Sequence, residues 1–231
     1  MGMQIFGHRG AKGLALENTR DAFEQAIKNK ADGIEFDLRK TLDDQLVVIH
    51  DKSTRRVTGR RLSVEGHSLK ALQSIRTKNG ETLLTFPELL EQLKGRRIQL
   101  DIEMKSNGTA DLLQPYLKEL LKNGYTYEDF FVSSFKISEV RRLRELNQDV
   151  RLAVIHAFNP FKFLIVYRKL DLWGAGFAAY IAWPPFLRVS KRLGLYTYAY
   201  RVNSVRTASI LKHLNIDMVI TDNPHLLAKL R

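Results

Sequence analysis

Eight short strand-like runs alternate with amphipathic helical stretches along almost the whole chain, and that alternation restricts the possible folds more than any other feature of the sequence. The runs fall at 4–8, 33–38, 98–105, 130–134, 152–155, 172–177, 196–202 and 218–221. Between them, 19–30, 83–93, 110–122, 137–146, 186–193, 205–214 and 224–230 carry apolar residues at spacings of three and four, and 160–170 is a weaker candidate for one more helix. Parallel strands need crossovers of this kind. The expected architecture is an α/β fold of the (β/α)8 barrel type, with a doubly wound sheet as the alternative. Helix starts are marked by Asn18 with Asp21 three residues on, and by Asp222-Asn223-Pro224. Gly124 and Gly194 mark stops.

A length of 231 residues suits one large domain spanning 1–231. The stretch 51–82 interrupts the alternation, is polar and basic, and reads as a cap-like insertion after the second strand's hairpin. Cysteine is absent, which excludes disulfides, thiolate catalysis and sulfur-ligated zinc.

The segment 33–51 concentrates the chemistry. Glu35 and Asp37 stand two apart in a strand, so both carboxylates project from one face, while Ile34, Phe36 and Leu38 occupy the other. Singly, each acid has an ordinary solvent-facing explanation. In a barrel, however, the apolar set packs outward against helices and the acids face inward, which makes half of a cation site. The chain then turns at Asp43-Asp44-Gln45 and returns through 46–49 to His50-Asp51. Other chemistry-bearing residues also fall late in their strands, where a barrel carries its active site. They include His8-Arg9, Glu103 and Lys105 on one face of the third strand, Ser133-Ser134-Phe135, and Thr221-Asp222.

The net charge is +12, and residues 151–214 alone carry ten Lys or Arg against the single acid Asp171. The same stretch holds 12 of the 22 aromatic residues, among them Phe158, Phe161, Phe163, Tyr167, Trp183 and Phe186. Cations interleaved with aromatics suit an anionic surface, either nucleic acid or lipid headgroups. The opening residues lack the charged leader and apolar core of a secretory signal, and no apolar run reaches bilayer-spanning length. A cytoplasmic protein, with peripheral membrane contact as a possibility, is expected.

Taken in order, HRG (8–10), ENT (17–19), GIEFD (33–37), VVIHD (47–51), IEMK (102–105), SSF (133–135) and ITDNP (220–224) resemble the motifs of the glycerophosphodiester phosphodiesterase family. The resemblance implies a TIM barrel, a divalent cation held by Glu35, Asp37 and Glu103, and His8 and His50 as an acid/base pair. Three carboxylates without a soft ligand suit Ca2+ or Mg2+. Arg9 and Lys105 are the expected clamps on phosphate oxygens, and Glu17 is expected to fix His8 or Arg9, or else to serve a helix start. Asn18 reads as an N-cap, and Ser134 and Phe135 as shaping the pocket. His67, His156, His213 and His225 match no motif and are expected at the surface.

The chain departs from the family where AWTVN is usual and it reads Ala199-Tyr200-Arg201-Val202-Asn203. Tyr200 would keep an aromatic wall beside the alcohol moiety. Strand alternation would then turn Arg201 outward; pointing inward, it would add a cation near the substrate. The implied partner is a small glycerophosphodiester rather than nucleic acid, cleaved to an alcohol and glycerol 3-phosphate. A lysophospholipase D or phospholipase-type phosphodiesterase working at the membrane surface is the alternative, and a non-catalytic basic binding barrel is a further rival. The sequence does not specify an oligomeric state.

Overall fold

A computed structural model describes residues 2–156, 160–182 and 184–230, with residues 160–162 described by their backbone alone. Phe158, Trp183 and the side chains of Phe161 and Lys162 therefore lie outside the described residues.

The first half of the chain runs β1 (Gln4–His8), α1 (Arg20–Lys28), β2 (Gly33–Lys40), β3 (Leu46–Val48), α2 (Arg55–Thr58), α3 (Leu69–Gln73), α4 (Phe86–Leu93), β4 (Gln99–Met104) and α5 (Thr109–Lys122). It continues through β5 (Phe130–Ser134), α6 (Ile137–Leu146), β6 (Leu152–His156), β7 (Gly174–Ala178), α7 (Pro184–Arg192), β8 (Tyr196–Tyr200), α8 (Val205–His213), β9 (Met218–Thr221) and α9 (Pro224–Leu227). Eight parallel strands pair in the order β1-β9-β8-β7-β6-β5-β4-β2, and β2 pairs back with β1, so the ring closes. A closed ring of parallel strands with helical crossovers is the expected (β/α)8 barrel, and the doubly wound alternative is excluded. The connection from β6 to β7 is the exception, carrying a 3-10 segment at Pro160–Ile165 in place of an α-helix.

The short β3 is antiparallel to the end of β2, with Leu38 opposite Val48 and Lys40 opposite Leu46. This hairpin returns the chain to the barrel mouth at His50. The insertion beyond it packs Val57, Val64 and Leu72 against Val47, Ile49 and Leu83 in a small core of its own. Local sequence explains the helix boundaries. The Thr85 hydroxyl accepts the Glu88 backbone N–H while the Glu88 carboxylate reaches back to the Thr85 N–H, a complete capping box at the start of α4.

Two apolar layers follow from strand alternation. Outside the barrel, Phe36 meets Phe23 of α1 and Phe86 of α4, with ring centroids 6.1 and 5.8 Å apart. Inside, Phe6, Phe131, Ala153, Tyr198, Met218 and Ile220 fill the barrel below its mouth. The faces of β2 divide as alternation requires, with Ile34, Phe36 and Leu38 in the outer layer. Among the described residues, no helix is long and apolar enough to cross a membrane.

Gly10, just after β1, has φ +81°, and a Cβ there would lie 2.5 Å from the Ala22 backbone. Gly10→Ala should therefore destabilise the fold by at least ~2 kcal/mol, combining overpacking with left-handed strain. A lowered urea midpoint at unchanged slope would register this.

Candidate active site

The C-terminal ends of β1, β2, β4, β5, β8 and β9 surround a cavity of about 400 Å³. His8, Arg9, Glu35, His50, Glu103, Lys105, Phe135, Tyr200 and Arg201 all line it. Residues read as separate signals from 8 to 201 thus share one space.

At its floor, Glu35, Asp37 and Glu103 are buried, each offering one carboxylate oxygen within 4.8 Å of the others. Register explains the convergence, since Asp37 lies beside Glu103 across the β2–β4 pair and His8 beside Glu35 across β1–β2. Like charges packed without water are costly. Burial, with Asp37 and Glu103 alongside, pushes the Glu35 carboxyl well above its ordinary range. Burial also raises Glu103, against the opposing pull of Lys105. Burial would raise Asp37 as well, but Lys105 and Arg9 outweigh it and hold that carboxyl far below the usual value.

The cations are arranged to meet this charge. The Lys105 ammonium lies 2.6 Å from Glu103 and 3.4 Å from Asp37. Arg9 donates its backbone N–H to Glu35 at 2.8 Å, places Nε 3.2 Å from Asp37, and donates from Nη1 to Glu17 at 2.8 Å. The expected contact of Glu17 with Arg9 is thus present, and contact with His8 is not among its bonds. Glu17 also accepts from Arg56 at 2.8 Å. Asn18 departs from its expected role, because Thr19 is the N-cap of α1. Asn18 adopts φ 56° and donates from its amide to Asp37 at 2.9 Å, a geometry in which the short polar side chain serves the carboxylate instead of the helix.

Both histidines are anchored in the same way. His8 Nδ1 lies 2.5 Å from Asp222, whose other oxygen accepts from Asn203 at 2.8 Å. His50 Nδ1 lies 2.8 Å from Asp51, which Arg56 grips through two hydrogen bonds of 2.8 Å. An aspartate on Nδ1 fixes the tautomer with its proton on that nitrogen and leaves the Nε2 lone pair for the cavity. Burial pulls the His50 imidazole down to about 4, with Lys105 and Arg9 acting against the upward pull of Asp37. Burial lowers His8 too, opposed by its hydrogen bond to Asp222. Burial on its own would raise Asp222, but His8 and Asn203 hold its carboxyl at about 2.

Aromatic residues form one wall. Lys105 Nζ lies 5.3 Å over the Phe135 ring, and Phe135 meets Tyr200 edge-on at 6.0 Å. The Tyr200 hydroxyl donates to the His156 carbonyl at 2.9 Å. Arg201 also lines the cavity, contrary to the outward position that alternation requires of a residue following an inward Tyr200. The reason is local, since β8 ends at Tyr200 and Arg201 takes φ +62°.

Other expectations need correction. His156 is buried, only 4% exposed, because β6 runs one residue further than its apolar run and a parallel strand is covered on both faces. His213 is exposed, and His67 and His225 are partly so; none of the three lines the cavity. Ser134 does not reach the cavity but ties β5 to β4 by donating to the Met104 carbonyl at 2.7 Å. Three residues of the site, Asp222, Arg56 and Lys12, had been given no role in it. Asp222 is 214 positions from the histidine it holds, and Arg56 sits in the insertion; only the placement of Asp222 at a strand's C-terminal end gave a signal.

The model of the glycerophosphoryl diester phosphodiesterase family matches residues 8–226. The chain is 32% identical to YhdW of Bacillus subtilis over 98% of its own length and 97% of the relative's. It is 28% identical to a glycerophosphodiester phosphodiesterase of Bacillus altitudinis, covering 99% of this chain and 98% of that one. Among solved structures, a phosphodiesterase of Oleispira antarctica in complex with the product sn-glycerol-3-phosphate superposes with a TM-score of 0.89 at 21% identity, over 98% of this chain and 96% of that chain. A glycerophosphodiester phosphodiesterase of Thermotoga maritima gives 0.83 at 23% identity, over 100% and 99%. With the family model spanning nearly the whole chain, from the first histidine to past the last strand, the chain belongs to the glycerophosphoryl diester phosphodiesterase family of phosphoric diester hydrolases.

Proposed function

We propose that the cavity hydrolyses glycerophosphodiesters to glycerol phosphate and an alcohol, with His8 and His50 moving protons and a divalent cation held by Glu35, Asp37 and Glu103. The observation that carries this reading is the pairing of two aspartate-anchored imidazoles with a three-carboxylate cluster in one cavity.

The donor set fits a hard cation. All three ligand groups are carboxylates, and Asp37 Oδ1 is buried and makes no hydrogen bond among the described residues, although the Lys105 ammonium stands 3.4 Å away. Oxygen ligands of this kind suit Ca2+ or Mg2+. When bound, such an ion would offset the diester's negative charge and the charge that develops on its oxygens. The protein's own groups supply the rest. One histidine enters neutral, and its Nε2 takes the proton of the attacking hydroxyl as that oxygen bonds to phosphorus; the other enters as an imidazolium and gives its Nε2 proton to the alkoxide as the P–O bond breaks. Asp222 and Asp51 each hold an Nδ1–H, which turns Nε2 toward the cavity in either ring and steadies whichever ring carries the positive charge. Arg9 and Lys105, beside the carboxylate cluster, would pair with phosphate oxygens, Glu17 holds the Arg9 guanidinium, and Phe135 with Tyr200 would wall the alcohol side.

The cavity is of small-molecule size. The lipid-surface alternative drew on the basic stretch 151–214, whose described cations do not gather on one face. Arg201 lies at the mouth, whereas Arg151, Lys191 and Lys212 line a separate cavity with Gln4 and Asp217 at the N-terminal ends of β1 and β9. The discriminating assay offers glycerophosphocholine, glycerophosphoethanolamine and a lysophospholipid with calcium or magnesium. Release of glycerol phosphate from the soluble diesters supports the reading, and release of lysophosphatidic acid alone overturns it in favour of a lysophospholipase D. Asp222→Asn, which keeps the shape but weakens the hold on His8, should lower kcat by about 10–100-fold with little change in KM.

A further inference from the structure

Besides its histidines, the cavity wall carries five cationic side chains, and four of them have a carboxylate within 4 Å. Arg9 has Glu17 and Asp37, Lys12 has Glu17, Arg56 has Glu17 and Asp51, and Lys105 has Asp37 and Glu103. Arg201 is the exception. Among the described residues it forms no ion pair or hydrogen bond, and residues 157–162 and 183 contain no Asp or Glu that could supply one. Its charge is therefore available to a ligand.

Its placement is built into the backbone. In a regular strand Arg201 would face away from the side that carries Tyr200. Instead it takes φ +62°, a conformation that non-glycine residues seldom adopt, and lines the same cavity. The residues that follow are tied down: Val202 N–H donates to the Ile220 carbonyl at 2.9 Å, and Asn203 accepts from the Asp222 N–H at 2.8 Å.

The order of groups along the wall gives this charge a role. Lys105, beside the carboxylate cluster, lies against Phe135; Phe135 lies against Tyr200; and Arg201 follows Tyr200 at the exposed rim. A diester whose phosphate sits at Lys105 would run its alcohol arm along the two rings toward Arg201. We propose that Arg201 is a specificity residue that selects diesters whose alcohol arm carries a second anionic group, a phosphate monoester or a carboxylate. The guanidinium fork matches either group in bidentate fashion. This assignment rests on the reading of the cavity as a glycerophosphodiesterase.

The test compares kcat/KM for three diesters that differ only in the alcohol arm: glycerophosphoglycerol, the same compound phosphorylated at its free end, and glycerophosphocholine. The protein should prefer the phosphorylated arm to the neutral one by about tenfold at low salt, with choline poorest and the preference shrinking as salt is added. Arg201→Gln should bring the ratio of phosphorylated to neutral arm close to one, and Arg201→Lys should restore part of it. Equal turnover of the phosphorylated and neutral arms by the wild-type protein, or a ratio unchanged in Arg201→Gln, would overturn the assignment while leaving the diesterase reading intact. Turnover of none of the three would overturn both.

Discussion

Replacing His50 by alanine should lower kcat by roughly 10²–10⁴-fold, the range that a lost general acid or base commands. The cation affinity should not change, because His50 hydrogen-bonds Asp51 and is not part of the carboxylate cluster. Stability should change little, since the ring sits at the rim with 31% of its side chain exposed. Single-turnover rates together with calcium or magnesium titration by calorimetry would separate these effects. A variant that loses metal binding along with activity would place His50 among the ligands. A variant that keeps both would remove it from the chemistry.

The second large effect is expected at Glu35. In the metal-free protein, burial beside Asp37 and Glu103 favours its protonated form. Glu35→Gln imitates that neutral form, and its amide oxygen can still accept the Arg9 N–H now taken by the carboxylate at 2.8 Å. The metal-free variant should therefore be at least as stable as the wild type. Cation binding should behave in the opposite way. A ligand that binds only the folded state at about 100 to 1,000 times its dissociation constant adds roughly 2.7–4.1 kcal/mol of stability, and Glu35→Gln should lose most of that gain along with its turnover. Thermal unfolding with and without calcium or magnesium would show it. An equal metal-induced shift in both proteins would take Glu35 out of the ligand set.

What could be read from the sequence was what local periodicity controls. The two-residue spacing of Glu35 and Asp37, set against apolar Ile34, Phe36 and Leu38, sends the acids into the barrel and the apolar set against Phe23 and Phe86. The turn at Asp43-Asp44-Gln45 likewise implied the hairpin that brings His50 back to the mouth. What escaped detection depends on chain closure or on a single dihedral. Nothing local to His8 shows that Asp222 will stand beside it, because that contact exists only once β9 has paired with β1. Arg56 lies in an insertion without periodicity, so its grip on Glu17 and Asp51 depends on how that insertion packs. Alternation served well within strands and failed one residue past the end of one. At Arg201 a positive φ cancelled the rule, and which of the two placements the chain adopts, at the cavity or away from it, was settled only in three dimensions. Asn18 shows the same limit: a residue suited to capping a helix donated to a buried carboxylate, and its neighbour Thr19 took the cap.

The central claim is that three carboxylates and two histidines act together on a phosphodiester. The most direct test strips the purified protein of metal, adds glycerophosphocholine, and follows glycerol phosphate release as calcium or magnesium is returned, for the wild type and for His50→Ala in parallel. Turnover that is absent in chelator, rises to saturation with added cation, and remains at least ~100-fold lower in His50→Ala at every cation concentration is the predicted result. Full turnover in chelator, or a variant restored to wild-type rate by excess cation, would contradict it.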